Sequence, residues 1–294
     1  MGKSSSSIAG KRRGRANAWL LVPAVAFLVV FMVVPIVLLL YISFQNQTPT
    51  MQALPGYTFD RYVQIFTRQD YLWDILVTIG VAALTTVITV VVAYPAANLM
   101  VNAKRKWVRT LLYIVLVSPL LTSVVVRSFA WVVLLSNNGL FNQILQQLNL
   151  IDQPIAMLWN MPAVIIAYVQ VLLPYAVMPL STSLAEVKES VKHASLALGA
   201  GPVRTFFKVV LPLTIPGAVN GAVIVFALTA GSYITPLLIG GMQPLLPLAI
   251  YQQALQVSDL RMAGAMAIVL LVIVFAIITP VERWLKRWEV KIYG

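Results

Sequence analysis

Long runs of apolar residues dominate this chain, and short polar intervals separate them. An α-helix needs roughly 20 apolar residues to cross the hydrocarbon core of a bilayer, and each run is about that long. The pattern therefore predicts an all-α membrane protein with six transmembrane helices. The predicted spans cover residues 19–44, 75–100, 111–135, 162–182, 216–239 and 262–281.

The polar intervals differ in character. Residues 1–17 are rich in Ser, Gly and Arg, which predicts a disordered basic tail before a membrane domain over residues 18–294. The first apolar run is too long for a signal peptide, whose apolar region spans about 7–15 residues. Leu140, Ile144 and Leu148 recur at helical spacing among Asn and Gln, which predicts an amphipathic helix at the membrane interface.

The longest polar interval of the second half covers residues 183–217. Ser183 and Glu186 have the spacing of a capping box, which predicts the start of a helix. Gly199 lies where a left-handed C-terminal cap is expected, and Pro202 suits the first position of a following helix. The interval therefore predicts two short helices joined by a glycine turn, an arrangement typical of a docking surface.

Three groups of residues in this interval carry a family resemblance. They are His193-Ala194-Ser195, Leu198-Gly199-Ala200, and Leu211-Pro212 with Pro216-Gly217. Their order and spacing resemble the EAA loop of binding-protein-dependent ABC transporter permeases. His193 stands where that family usually has Glu, and Ser195 where it has the second Ala, so an ion pair through that Glu is not carried over. Residues 126–131, 138–142 and 231–241 resemble the polyamine branch of the same permeases.

The resemblance implies a type I ABC importer permease fold and a multi-pass location in the bacterial inner membrane, surrounded by lipid. It implies that residues 183–217, named here the coupling loop, dock on an ATPase. The residues at that contact would be Glu189, His193, Ala194, Ser195, Leu198, Gly199, Ala200, Gly201 and Arg204.

The same resemblance implies partners. They are two ATP-binding subunits, a second permease of different sequence, and a periplasmic or lipid-anchored solute-binding protein. ATP and Mg²⁺ would be bound by the partner ATPase, so no cofactor is expected in this chain.

Lys and Arg are distributed unevenly between the two sides of the predicted topology. Seventeen of the 21 lie in the tail, the 102–110 loop, the coupling loop and the C-terminal segment. Arg61, Arg68 and Arg261 lie in the opposite loops. Because cytoplasmic loops carry the excess of Lys and Arg, both termini and the coupling loop are predicted to be cytoplasmic.

Composition limits the chemistry. The chain is 60% hydrophobic and 10% charged, and its net charge of +12 does not indicate nucleic-acid binding, because no soluble domain carries a basic face. It has no Cys and one His, which excludes thiolate metal sites and most His-based ones. We expect no metal site and no catalytic residues. The phosphate-binding motif G-x-x-x-x-G-K-[ST] is absent, so ATP is not expected to bind this chain.

Arg127 lies inside an apolar run, where an ionisable side chain is costly and marks a functional hypothesis. Two interpretations stay open: a structural role, by snorkelling or by pairing with an outer-loop Asp, and contact with the solute or a gate. Trp131, Tyr168, Tyr175 and Tyr233 are further candidates for the substrate pathway, because ring faces attract cations. Aromatic residues are also common core and interface anchors in membrane helices.

Together these features predict the permease subunit of an ATP-driven importer for a small organic solute. The solute would be polyamine-like, such as spermidine or putrescine, or an opine or amino-acid-like compound. One alternative is an ion-coupled secondary transporter, which is disfavoured because none of the nine acidic residues falls clearly in mid-span. The other is a membrane-embedded enzyme, disfavoured by the lack of a His/Asp/Glu cluster.

Overall fold

The computed structural model describes residues 22–48 and 52–293. The predicted basic tail, residues 1–17, lies outside them. Within the described part, six helical segments are long and apolar enough to cross a bilayer, which confirms the all-α membrane fold. Their bounds are Val22–Phe44, Gln69–Asn102, Val124–Gln147, Met161–Glu186, Pro202–Gly231 and Leu260–Lys291.

The individual elements are numbered in chain order. The helices are α1 (Val22–Phe44), α2 (Asp60–Thr67), α3 (Gln69–Asn102), α4 (Lys106–Val117), α5 (Val124–Leu135), α6 (Leu140–Gln147), α7 (Met161–Glu186), α8 (Glu189–Ala197), α9 (Pro202–Gly231), α10 (Leu246–Tyr251) and α11 (Leu260–Tyr293). A 3₁₀ turn covers Ser118–Leu121, and π-helical turns cover Val29–Val33, Phe206–Val210, Pro236–Gly240 and Gln252–Gln256. After α1, β1 (Gln45–Gln47) and β2 (Ala53–Tyr57) pair as an antiparallel hairpin.

Helix α7 occupies the centre of the fold, between α3 and α9. Its Val164 and Leu180 are completely buried, and they share one apolar cluster with Ala97 of α3 and Val225 of α9. Gly217 lets α7 and α9 approach closely. A Cβ added there would lie 2.5 Å from the Oγ of Ser183 and 2.6 Å from the carbonyl oxygen of Pro179, distances too short for a real methyl group.

Helix α1 lies at the edge of the fold and packs on α11. None of the residues in its most apolar stretch is buried. Its last turn is held by the buried Arg61 of α2, whose Nη1 donates to the carbonyl oxygens of Ser43 at 3.2 Å and Gln45 at 2.7 Å. Burial lowers the pKa of Arg61, and the negative charge of Asp259 opposes that shift.

The predicted third span, residues 111–135, is not one helix. Helix α4 ends at Val117, a 3₁₀ turn follows, and α5 begins after Ser123, whose Oγ accepts the backbone N–H of Val125 at 3.3 Å. Pro119 lies in this turn and has no N–H to continue a helix. The apolar pattern did not reveal the break, because the residues on both sides of it are equally hydrophobic.

The capping-box prediction at Ser183 is wrong. Helix α7 continues through Ser183 to Glu186, because Leu184 and Val187 are buried against the core, and α8 begins only at Glu189. The predicted second short helix is instead the first part of α9. The predicted fifth span, residues 216–239, therefore begins earlier, at Pro202, and its helix ends at Gly231.

Contacts between helices place the coupling loop at the same end of the fold as the α3–α4 loop. Tyr94, near the end of α3, shares a 2.6 Å hydrogen bond with Thr214 of α9, and its ring lies 5.2 Å from that of Phe206. Near the opposite end, the backbone N–H of Leu246 donates to Thr78 Oγ1 at 2.8 Å. The two basic loops thus share one side, as the charge pattern requires.

Candidate functional site

Helix α8 ends in a tight glycine turn. Gly199 has a φ of +82°, a left-handed conformation that favours glycine. Its N–H donates to the Leu196 carbonyl at 3.0 Å, and that of Ala200 donates to the Ser195 carbonyl at 3.2 Å, which is the Schellman pattern of helix termination. Pro202 then occupies the first position of α9. Both the glycine turn and the proline start are confirmed.

The residues proposed for ATPase contact lie together on this projecting unit. Exposed members are Glu189, His193, Ala194, Leu198, Gly199, Gly201 and Arg204, whereas Ser195 and Ala200 are half-buried. None of the residues of α8 is buried, and Leu198 is 89% exposed. Val203 and Phe207, on the first turns of α9, are also exposed apolar side chains. A projecting apolar tip of this kind fits a surface that another protein covers.

The two departures from the family pattern have visible consequences. Ser195 Oγ lies 3.0 Å from the Oγ1 of the buried Thr205, a hydrogen bond between α8 and α9 that alanine could not make. At the other position, the carboxylate of Glu189 accepts from Lys192 Nζ at 2.9 Å and lies 4.0 Å from His193 Nε2. The hydrogen bond from Lys192, and then its charge, lower the pKa of Glu189. The acidic group of α8 therefore stands one turn before the position where the family usually has Glu.

A cavity of about 380 Å³ lies between α5, α7 and the end of α9, and it is named here the Arg127 cavity. Four of the five predicted pathway residues line it: Arg127, Tyr168, Tyr175 and Tyr233. Trp131 lies elsewhere. Its Nε1 donates to Gln170 Oε1 at 3.2 Å, and its ring stacks on Phe141 at a centroid distance of 6.2 Å.

A break in the helical chain forms one wall of the Arg127 cavity. Helix α9 ends at Gly231 and helical structure resumes at Ile234, so Ser232 and Tyr233 line the cavity outside any helix, and Thr235 lines it from the first turn that follows. The Tyr168 hydroxyl donates to the Ser232 carbonyl at 3.0 Å. Non-helical backbone at membrane depth is tolerated where protein buries it or a cavity adjoins it. Ser232 and Thr235 were not among the predicted pathway residues, although polar residues between Gly231 and Pro236 were a usable signal.

Arg127 meets no carboxylate in the described part of the chain, where the salt bridges involve other residues. Its Nε and Nη1 atoms are buried and have no hydrogen-bond partner there, and the same holds for Thr235 Oγ1. The pairing with an outer-loop Asp that the sequence left open is thus not found among the described residues. The Arg127 guanidinium group and the Thr235 hydroxyl instead belong to residues that line the cavity.

A second cavity, of about 850 Å³, lies between α9, α10 and α11 and is mostly apolar. Tyr233 also lines this cavity, and its ring stacks on that of Tyr251 at a centroid distance of 5.1 Å. Ala227 and Gly231 border both spaces as well. The two cavities are therefore neighbours that share the end of α9 and Tyr233, which lies in the break after that helix.

The chain is similar to a known protein family, to individual proteins and to solved structures. Residues 89–289 match the family described as binding-protein-dependent transport system inner membrane component. The spermidine/putrescine transport system permease protein PotB of Escherichia coli (strain K12) is 30% identical over 255 residues, which cover 86% of this chain and 92% of that protein. The inner membrane ABC transporter permease protein YdcU of the same organism is 29% identical over 247 residues, covering 80% of this chain and 78% of that protein.

Among solved structures, a chain of a bacterial ABC transporter involved in the import of the acidic polysaccharide alginate is similar in fold. It superposes with a TM-score of 0.76 and covers 96% of this chain and 99% of that chain, at 17% sequence identity. A chain of a bacterial alginate ABC transporter in complex with an alginate pentasaccharide-bound periplasmic protein is similar as well, with a TM-score of 0.75 at 17% sequence identity.

Proposed function

The chain belongs to the family of binding-protein-dependent transport system inner membrane components, and we propose on that premise that its coupling loop docks on an ATPase subunit. It is the permease subunit of an ABC importer and a multi-pass protein of the inner membrane. Such permeases act with an ATPase and a solute-binding protein. Membership in this family argues against the ion-coupled secondary transporter, and it is consistent with a subunit that is not itself an enzyme.

One observation carries the docking proposal. Helix α8 is folded and capped by defined hydrogen bonds, yet none of its residues is buried. An isolated helix of nine residues is marginal in water, and most helices gain their stability from packing. A partner surface against Ala194, Leu198 and Gly199 would supply that packing, since small residues permit close approach. Glu189, His193 and Arg204 would lie at the rim of the contact.

The complete importer would contain two ATP-binding subunits, which hold ATP and Mg²⁺, and a second permease of different sequence. A periplasmic or lipid-anchored solute-binding protein would deliver the solute to the face opposite the coupling loop. ATP binding would close the ATPase dimer, and the coupling loop would carry that motion into the spans. The solute would then cross between the two permeases. The energy for the switch comes from contacts that differ between its two states.

The relatives suggest the class of solute. PotB is described as part of a spermidine/putrescine transport system, so a small organic solute of that size is proposed here. A polyamine and an opine or amino-acid-like compound both fall in this class, and both fit a cavity of about 380 Å³.

Cysteine cross-linking tests the docking proposal cleanly, because the chain has no cysteine of its own. Leu198→Cys should cross-link to the ATPase subunit in the assembled importer. Met242→Cys is the matched control, since Met242 is 90% exposed and Leu198 89%. Its neighbour Gly241 lies beside Trp159, just before the start of α7, at the other end of that helix from the coupling loop. Cross-linking of the control to the ATPase, or none at Leu198, would overturn the docking assignment.

Energy dependence tests the transport proposal separately. Uptake into proteoliposomes that contain all subunits should require ATP and should persist when an ionophore collapses the proton gradient. Loss of uptake with the gradient, while ATP is present, would contradict it.

A further inference from the structure

We propose that α2 is an interfacial membrane anchor. Its Phe59, Val63 and Phe66 side chains insert into the phospholipid leaflet on the side of the fold opposite the coupling loop. This inference goes beyond the proposed function, because it concerns how the chain is held in the bilayer and depends on neither a solute nor an ATPase contact.

Helix α2 has three faces of different chemistry. Arg61 and Ile65 are buried and form the face toward the protein. A second face carries exposed polar side chains at the spacing i, i+4, i+7: Asp60, Gln64 and Thr67. A third face carries exposed apolar side chains at the same spacing: Phe59, Val63 and Phe66, exposed by 68%, 56% and 54%. With 3.6 residues per turn, the polar and apolar faces point about 100° apart, so the outer surface of α2 is amphipathic.

Helix α2 lies beside the ends of two membrane-crossing helices. Ile65 is completely buried in an apolar cluster. The partners of Ile65 in this cluster come from the first two turns of α3 and α11: Tyr71, Ile75, Met262 and Met266. Arg68, between α2 and α3, has an extended backbone with a ψ of 126°, so α2 does not continue α3 as one helix. Its level is therefore that of the membrane–water interface, where the spans begin.

The apolar face of α2 is continuous with the exposed surface of α1. The Phe59 ring lies 5.0 Å from that of Phe44, the last residue of α1. Beside this pair, the ring of Tyr57 lies 6.0 Å from that of Tyr41, which also belongs to α1. None of the residues in the most apolar stretch of α1 is buried, so that helix exposes a broad surface to lipid. Aromatic rings at the end of such a span are typical of the interface, and the apolar face of α2 extends this layer.

An anchored α2 also fixes the outer end of α1. The Arg61 guanidinium group donates to the carbonyl oxygens of Ser43 and Gln45. The Oγ of Ser43 lies 2.6 Å from the hydroxyl of Tyr62, which is the next residue of α2. Helix α2 therefore holds the last turn of α1 from its protein side, while its apolar face sets the depth of both elements in the leaflet.

Fluorescence quenching tests this placement, because the chain has no cysteine of its own and can be labelled at one site. Val63→Cys and Phe66→Cys, each carrying an environment-sensitive fluorophore, are assembled with cysteine-free partner subunits in proteoliposomes. Phospholipid brominated near the top of its acyl chains should quench both labels about twofold, because an interfacial face lies about 5–10 Å deep. Aqueous iodide should leave them bright. Gln64→Cys is the matched control on the polar face of the same helix, and it should show the opposite response.

Two outcomes would overturn the proposal. Iodide quenching of the Val63 and Phe66 labels as strong as that of the Gln64 label would place the apolar face in water. Protection of the Val63 and Phe66 labels from both quenchers would show that another protein, such as a second permease, covers the face instead of lipid.

A second change and a label-free measurement complete the test. In the labelled Val63→Cys protein, Phe66→Asp should reverse most of the lipid quenching, because a carboxylate opposes insertion, whereas Gln64→Asp on the polar face should not. If the labelled variants fail to assemble, the wild-type importer is reconstituted with a phospholipid that carries a photoreactive diazirine near the top of its acyl chains. Cross-links should then fall within residues 59–66 as well as on α1. Cross-links on α1 without any in residues 59–66 would contradict the anchor.

Discussion

Leu198 is the most exposed apolar side chain of the coupling loop, so it is the side chain that a docking partner would bury most. Burying a leucine side chain is worth roughly 2 kcal/mol, so Leu198→Asp should weaken docking by at least tenfold. We expect uptake to fall accordingly while ATP hydrolysis by the assembled complex continues. Parallel assays of uptake and hydrolysis in proteoliposomes measure both.

Leu198→Met is the control for that prediction, because it keeps an apolar side chain of similar volume and should transport nearly as the wild type does. Normal coupling in Leu198→Asp would show that this side chain is not part of the contact.

Alanine substitutions at Gly199 and Gly201 distinguish the effect of backbone conformation from the effect of side-chain packing in the same turn. An added Cβ meets no atom within 4 Å at either position, but Gly199 has a φ of +82° and Gly201 a φ of −67°. Left-handed backbone costs a residue with a Cβ about 1–2 kcal/mol. Gly199→Ala should therefore loosen the turn, measured as faster proteolysis between α8 and α9, and Gly201→Ala should not. Equal proteolysis rates would contradict the turn geometry.

At the scale of elements, the contact between α7 and α9 depends on one missing side chain. Gly217→Ala places a methyl group against Ser183 Oγ and the Pro179 carbonyl, so the two helices must separate. Overpacking of this kind costs about 1–3 kcal/mol. The melting temperature of the detergent-purified protein should fall.

Gly80→Ala is its matched control, since Gly80 lies inside α3 with open space around it. That change should be neutral or slightly stabilising, because alanine favours helices by up to about 1 kcal/mol over glycine. If both variants melt alike, close α7–α9 packing does not limit stability.

The elements also show what the sequence could and could not predict. Apolar run length predicted the number of spans, because the bilayer imposes a minimum length on any crossing helix. It misplaced the third span, which is Val124–Gln147 and not residues 111–135. Local spacing at Ser183 and Glu186 failed, since burial of Leu184 extends α7 past that signal. Gly199 and Pro202 were predictable because backbone conformation restricts those positions directly.

The candidate cavity was predictable only in part. Arg127 was conspicuous because a charge interrupts an apolar run. Trp131 carried the same aromatic signal as the three predicted tyrosines, yet it lies outside the cavity lining. Which aromatic rings meet depends on how α5, α7 and α9 pack together. That packing is a property of distant segments, and no local spacing in the sequence records it.

At the scale of the whole molecule, the helix contacts place the two basic loops on one side, so the orientation of both loops can be tested together. Reporter fusions at Lys104 and Lys192 should read as cytoplasmic, and fusions at Gln52 and Asn149 as extracytoplasmic. The physical reason is the excess of Lys and Arg on the side of the coupling loop. The inverse pattern would overturn the orientation and the docking proposal together. A mixed pattern at Lys104 and Lys192 would contradict the shared side that Tyr94 and Thr214 indicate.

Helix α9 joins the coupling loop to the Arg127 cavity as one helix, with a π-helical turn at Phe206–Val210 and Pro216 inside it, and this connection has a mechanical consequence. Its 30 residues make a rod about 45 Å long, and Gly217, where α7 presses closest, lies near the midpoint. A helix of this length can tilt about its contact with α7 at Gly217. A tilt of about 5° would displace each tip by about 2 Å in opposite directions, given arms of about 21–22 Å. A sideways push on Pro202 would thus move Gly231, and the mouth of the cavity with it, in the opposite direction.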